Sequence, residues 1–105
     1  MLTVTRAAAQ AIDHLLAAQG IQRDDGGLHL TLDPLSVEVV AHADADDDII
    51  DTAGTQVFLD RETRIRLADK VLDITKEDNG HLAFVVVSPE SARRRVDQRR
   101  KATSG

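Results

Sequence analysis

Cysteine is absent from this 105-residue chain, as are tryptophan and tyrosine, and Phe58 and Phe84 are its only aromatic residues. A chain without thiols forms no disulfide, carries no nucleophilic cysteine, builds no thiolate zinc site and holds no iron–sulfur cluster by its own sulfur. An uninterrupted apolar run of about 18 residues, the length that spans a membrane, is also missing. The first residues lack the apolar core of a signal peptide, because Arg6, Gln10, Asp13 and His14 interrupt it, so a cytoplasmic location is expected. At this length one domain is expected, with an aliphatic core large enough to fold without covalent staples.

Charge is plentiful but unevenly placed. Residues 1–88 carry seven basic and sixteen acidic side chains, whereas residues 89–105 carry six and two. An acidic body repels polyanions, and no basic face is evident before Arg93, which argues against nucleic acid as a partner.

Periodicity gives an element order. Thr5 is a suitable N-cap for a helix over residues 6–19, in which Ala8, Ile12, Leu15 and Leu16 recur on one stripe and Gly20 supplies the stop. Residues 1–4 can add a short strand before it. After the Asp24-Asp25-Gly26-Gly27 turn, Leu28, Leu30 and Leu32 alternate with polar residues, and Val37, Val39 and Ala41 do so beyond Pro34. A hairpin turning at Asp33-Pro34 sets leucines against valines. Residues 43–48 form an acidic loop, Ile49-Ile50 restarts an extended segment, and Asp51-Thr52-Ala53-Gly54 turns the chain into a strand at 55–59. Asp60 caps a short helix over 61–69.

Strands at 71–75 and 81–88 follow, joined by a turn at Asn79-Gly80. Leu82 to Val87 is apolar at every position, a pattern that predicts a central strand covered on both faces. Ser88-Pro89-Glu90 is a helix-start signature, but residues 91–105 carry no sustained apolar stripe. The expected fold class is therefore α+β: a strand-rich domain of small mixed and antiparallel sheets over 1–88, with an N-terminal helix, a short second helix and a basic helix or disordered tail over 89–105.

Candidate chemistry is sparse. His42 with Asp44, Asp46 and Asp48 offers the best set of metal donors, since clustered carboxylates on a loop suit hard cations. Ile49 and Thr55 stand where a calcium loop of the EF-hand type needs glycine and glutamate, so the bland alternative is a solvated acidic loop. No serine has an adjacent histidine to activate it, and the glycine pair before Leu28 precedes a strand rather than a helix. Neither an enzyme nor a resident cofactor is expected. Arg93, Arg94, Arg95, Arg99, Arg100 and Lys101 form the sharpest charge feature, readable as a docking arm for an acidic protein or as a solubilising tail.

Four segments together resemble the HesB/IscA-like family, the A-type carriers of iron–sulfur biogenesis. They are Leu2 to Ile12, Gly27 to Leu30, Asp47 to Asp60 (Asp-Asp-Ile-Ile-Asp-Thr-Ala-Gly-Thr-Gln-Val-Phe-Leu-Asp) and Asp69 to Thr75, and the likeness spans residues 1–87. The resemblance implies a compact HesB-like scaffold of small sheets. Members that carry clusters use one cysteine in a loop after the first sheet strand and a Cys-x-Cys pair near the C-terminus. Here Asp33-Pro34-Leu35 and Ser88-Pro89-Glu90-Ser91 stand in those places. The resemblance therefore implies a cysteine-less relative that works non-enzymatically, accessory to cluster assembly, through another protein as partner, with a homo-oligomer as an open alternative.

Overall fold

A computed structural model of the chain describes residues 1–95. It contains β1 (Thr3–Val4), α1 (Arg6–Ala18), β2 (Gly27–Thr31), β3 (Ser36–Val40), β4 (Asp48–Thr52), β5 (Thr55–Leu59), α2 (Arg61–Arg66), β6 (Val71–Lys76) and β7 (Leu82–Val87). Residues 89–95 are helical. The strands form two sheets, one of order β3-β2-β5-β4 and one of order β1-β6-β7.

Helix α1 starts and stops for local reasons. The Thr5 hydroxyl accepts from the Ala8 N–H at 3.1 Å, satisfying one of the donors a helix start leaves open. At the other end Gly20 adopts φ 70°, where its N–H reaches the Ala17 carbonyl and the Ile21 N–H reaches that of Leu16. This is a Schellman closure, and it requires the left-handed conformation that glycine adopts without strain. Ala8, Ala9, Ile12 and Leu16 are buried, while Leu15, on the margin of the stripe, is 41% exposed.

The hairpin forms in the expected register. Leu28 lies opposite Val39 and Leu30 opposite Val37, so one face of the larger sheet is uniformly aliphatic. β5 adds in parallel beside β2 and antiparallel beside β4, bringing Val57 and Ile50 onto the same face. The β4–β5 turn places Ala53 at φ 54° and Gly54 at φ 77°, the two positive angles of a type I′ hairpin. Leu28, Leu30, Val39, Ile50 and Val57 meet Ile12 and Leu16 of α1, Leu2 just before β1, and Val4 and Leu72 of the smaller sheet in one core. Each fully buried leucine there contributes about 1.5–3 kcal/mol.

One expectation is overturned. β7 is not central: β6 is the middle strand and β7 an edge, with no residue of its apolar run fully buried. The neighbour expected on its second side is absent among the described residues. The reason is topological, because β1 pairs with β6 and leaves β7 only one partner. Helix α2 is also shorter than expected, ending at Arg66 with Leu67 as its buried cap residue.

Candidate functional site

Two clusters of polar side chains stand out, one on each sheet. On the outer face of the larger sheet, strand alternation that sends Leu28 and Leu30 into the core turns His29 the other way. His29 lies in register with Phe58 of β5 and Glu38 of β3. The acidic loop between β3 and β4 folds back to this face. Its Asp47 carboxylate, almost wholly buried, lies 3.3 Å from His29 Nε2 and accepts a hydrogen bond from the Asp44 N–H. Donor atoms of His29, Asp44 and Asp47 come within 4.8 Å of one another. One imidazole nitrogen and two carboxylate oxygens form a set that suits a borderline divalent cation such as zinc, manganese or ferrous iron. Hydrogen bonds from Thr63, its backbone N–H first, hold the Asp60 carboxyl below the usual aspartate range.

The structure thus gathers a different group from the one the sequence suggested. Asp44 joins the cluster, but His42 and Asp46 are exposed and outside it, and Asp48 turns to Arg64 at 3.3 Å. His29 was missed because only the fold brings residues fifteen and eighteen positions apart together. The sequence signal was its outward position in an otherwise core-facing strand.

On the smaller sheet the centre is Asp73, a wholly buried carboxylate in the middle of β6. Its Oδ1 accepts from the Thr5 hydroxyl and from the Ile74 N–H, each at 2.8 Å. Its Oδ2 accepts from Arg95 Nε at 2.9 Å, while Arg95 Nη2 donates to the Ile74 carbonyl at 2.7 Å. That carbonyl points toward β1, which has already ended, so the guanidinium supplies the donor that a longer strand would have given. The carboxylate therefore ties the N-cap of α1, the backbone of β6 and the last helix together. Beside it lies an open cleft of about 740 Å³ between β1, the start of β6 and that helix, lined by Met1, Thr3, Val71, Pro89, Ala92 and Arg93 among others.

Of the basic run, Arg95 is committed to Asp73, Arg93 and Arg94 are exposed, and Arg99, Arg100 and Lys101 lie outside the described residues. The two places at which the family resemblance implies cysteine carry other duties here. Asp33, at φ 65° in the β2–β3 turn, pairs with Arg66 at 2.7 Å, and that guanidinium holds its carboxyl below the usual range. Ser88 caps the last helix through a bond from the Ser91 N–H, and the two hydroxyls bond each other at 3.1 Å. Neither place offers the soft, charged sulfur that an iron–sulfur cluster takes as ligand. The residues present do not fit such a cargo.

Among solved structures, the chain matches Escherichia coli SufA, a protein involved in biosynthesis of iron–sulfur clusters, with a TM-score of 0.68 and 24% identity over 84% of this chain and 85% of that one. This chain has the SufA fold. It is also similar to IscA, solved with a [2Fe-2S] cluster, with a TM-score of 0.59 and 20% identity over 85% of this chain and 83% of that one. No family model matches the sequence, and no curated protein does. The HesB/IscA-like scaffold expected from the four sequence segments is thus the scaffold observed, in a chain with no cysteine. No helix among the described residues is long and apolar enough to cross a membrane.

Proposed function

We propose that this SufA-fold chain is a non-enzymatic accessory of iron–sulfur cluster assembly that acts by binding another protein and carries no cluster itself. One observation supports the reading above all: the fold of SufA, involved in biosynthesis of iron–sulfur clusters, and of IscA, solved with a [2Fe-2S] cluster, recurs here without any thiol. Contact with the partner would rest on shape and charge. The exposed Arg93 and Arg94, with Arg99, Arg100 and Lys101 beyond them, offer a basic arm to an acidic surface, and the body offers an acidic face. Anaerobic reconstitution with iron and sulfide tests the cargo half of the proposal. Less than stoichiometric iron and no cluster absorbance are expected, and a stoichiometric cluster overturns it. Co-purification from native extract tests the other half, with cluster-assembly proteins as the expected companions.

A second reading, a metal-binding module, is favoured by the convergence of His29, Asp44 and Asp47. On this reading zinc or manganese raises the melting temperature of the wild type, because a ligand that binds only the native state stabilises it. His29→Ala and Asp47→Asn would abolish that shift, whereas His42→Ala would leave it intact.

A further inference from the structure

The acidic stretch around the His29 group has little to balance it. Residues 36–51 carry six carboxylates, those of Glu38, Asp44, Asp46, Asp47, Asp48 and Asp51, and no lysine or arginine. From outside the stretch Arg64 reaches Asp48. Asp47 holds the most demanding position, because its side chain is only 6% exposed and its carboxylate meets, among the described residues, the Asp44 N–H and the His29 ring. A carboxylate taken out of water needs a counter-charge as well as hydrogen bonds. Imidazole is such a counter-charge only when protonated.

The spacing of the donors narrows what belongs between them. Zinc holds imidazole nitrogen and carboxylate oxygen at about 2.0–2.2 Å in a tetrahedron, which sets two such ligand atoms about 3.4 Å apart. His29 Nε2 and Asp47 Oδ2 are 3.3 Å apart, and an Asp44 oxygen completes the group within 4.8 Å. Glu38 stands directly across from His29 on β3, so both side chains leave the sheet on the same face. It is exposed, with no hydrogen-bond or ion-pair partner among the described residues. Its carboxylate is not one of the converging three, and it is a cross-strand donor available for a fourth position.

Resting on the second reading above, that this group binds a metal, we propose that the ion is zinc, held by His29 Nε2, Asp44, Asp47 and Glu38, and that it clasps the β3–β4 loop to the outer face of the larger sheet. The ligands come from β2, β3 and the loop, so completing the coordination shell fixes the loop against both strands. Phe58, beside His29 on that face, is 1% exposed although it stands outside the main core, so this face needs a cover that stays in place. Two positive charges on the ion offset carboxylates that otherwise repel one another. Calcium and magnesium take six or more oxygen ligands, which an imidazole and three carboxylates do not suit. Manganese stands below zinc in the affinity order for nitrogen and oxygen donors.

Calorimetric titration of the untagged, metal-free full chain with zinc sulfate tests this, with manganese and calcium chlorides in parallel. One zinc per chain is expected, bound at least about tenfold more tightly than manganese, with no binding of calcium. Glu38→Gln, at an exposed position, should weaken zinc at least about tenfold with unchanged circular dichroism, and His42→Ala should bind as the wild type does. Amide exchange followed by NMR reads the clasp. The N–H groups of Asp44 and Asp47, which bond within the loop, should exchange at least about tenfold more slowly with zinc, whereas that of Gly80 in the β6–β7 turn should not change. If neither zinc nor manganese binds, or if binding survives His29→Ala, the metal reading falls together with this inference. Zinc that binds through His29 but is indifferent to Glu38→Gln, is matched by manganese or calcium, or leaves Asp44 and Asp47 exchange unaltered would overturn the inference alone and leave the metal reading standing.

Discussion

The two sheets carry aspartate–arginine pairs of nearly equal length and opposite surroundings. Asp33 and Arg66 meet at 2.7 Å in the open beside the β2–β3 turn, whereas Asp73 and Arg95 meet at 2.9 Å with the carboxylate wholly buried. Water screens the first pair, and each partner is well solvated without the other. The second pair lies where a charge stripped of its partner has no water to turn to. Distance alone therefore says little about what a pair does for a fold; solvent access decides it.

The comparison can be broken most forcefully at Arg95. Arg95→Ala removes a cation from the buried Asp73 carboxylate and should destabilise the fold by about 3 kcal/mol, the lower end for a broken buried pair because other partners, Thr5 and Ile74 among them, remain. Arg66→Ala, the same change on the exposed pair, should leave the urea midpoint unchanged within error. A next smaller effect is expected at Thr5, which serves the same buried carboxylate and caps α1. Thr5→Ala should cost about 1 kcal/mol as a lost cap, read by urea denaturation, and proportionately more where the bond to Asp73 counts. In the opposite direction, Ala53→Asn in the β4–β5 turn should raise stability by about 0.5 kcal/mol, since asparagine tolerates a positive φ better than alanine.

The smallest effect concerns acid. Asp33 and Asp60 have folded-state pKa values lowered from the ordinary 3.8, so the stability they contribute is present above that value and is lost as pH falls through their depressed ones. Asp60→Ala should therefore flatten the acid limb of a stability–pH curve below pH 3.8 and leave the neutral region with little pH dependence of its own. An unaltered acid limb would show that the Thr63 bonds carry no weight.

Much of this architecture was legible beforehand, for reasons that are local. Thr5, the Ala8–Ile12–Leu16 stripe and Gly20 define α1 within one segment, and the leucine–valine alternation defines the β2–β3 hairpin and its register. What was not legible depends on which strands become neighbours. Nothing in Leu82 to Val87 says that β1 will take the other side of β6, so its apolar run read as central. Nothing in the sequence around Asp73, between Leu72 and Ile74, marks it as a buried carboxylate. It is buried because a helix with no apolar stripe of its own crosses that face and delivers Arg95. The His29 cluster was hidden in the same way. His42 was nearer the acidic loop in sequence, but the loop folds over β2 rather than along its own stem.

Thr5 and Arg95 meet on one carboxylate although ninety residues of chain separate them. A ribosome delivers the second of these groups only after β1 to β7 have emerged. The nascent polypeptide must therefore keep an acidic side chain of β6 accessible to solvent until residues 89–95 leave the exit tunnel. Closure of the smaller sheet then waits on residues 89–95, and a chain halted before Arg95 should be cut by proteases more readily than one that includes it.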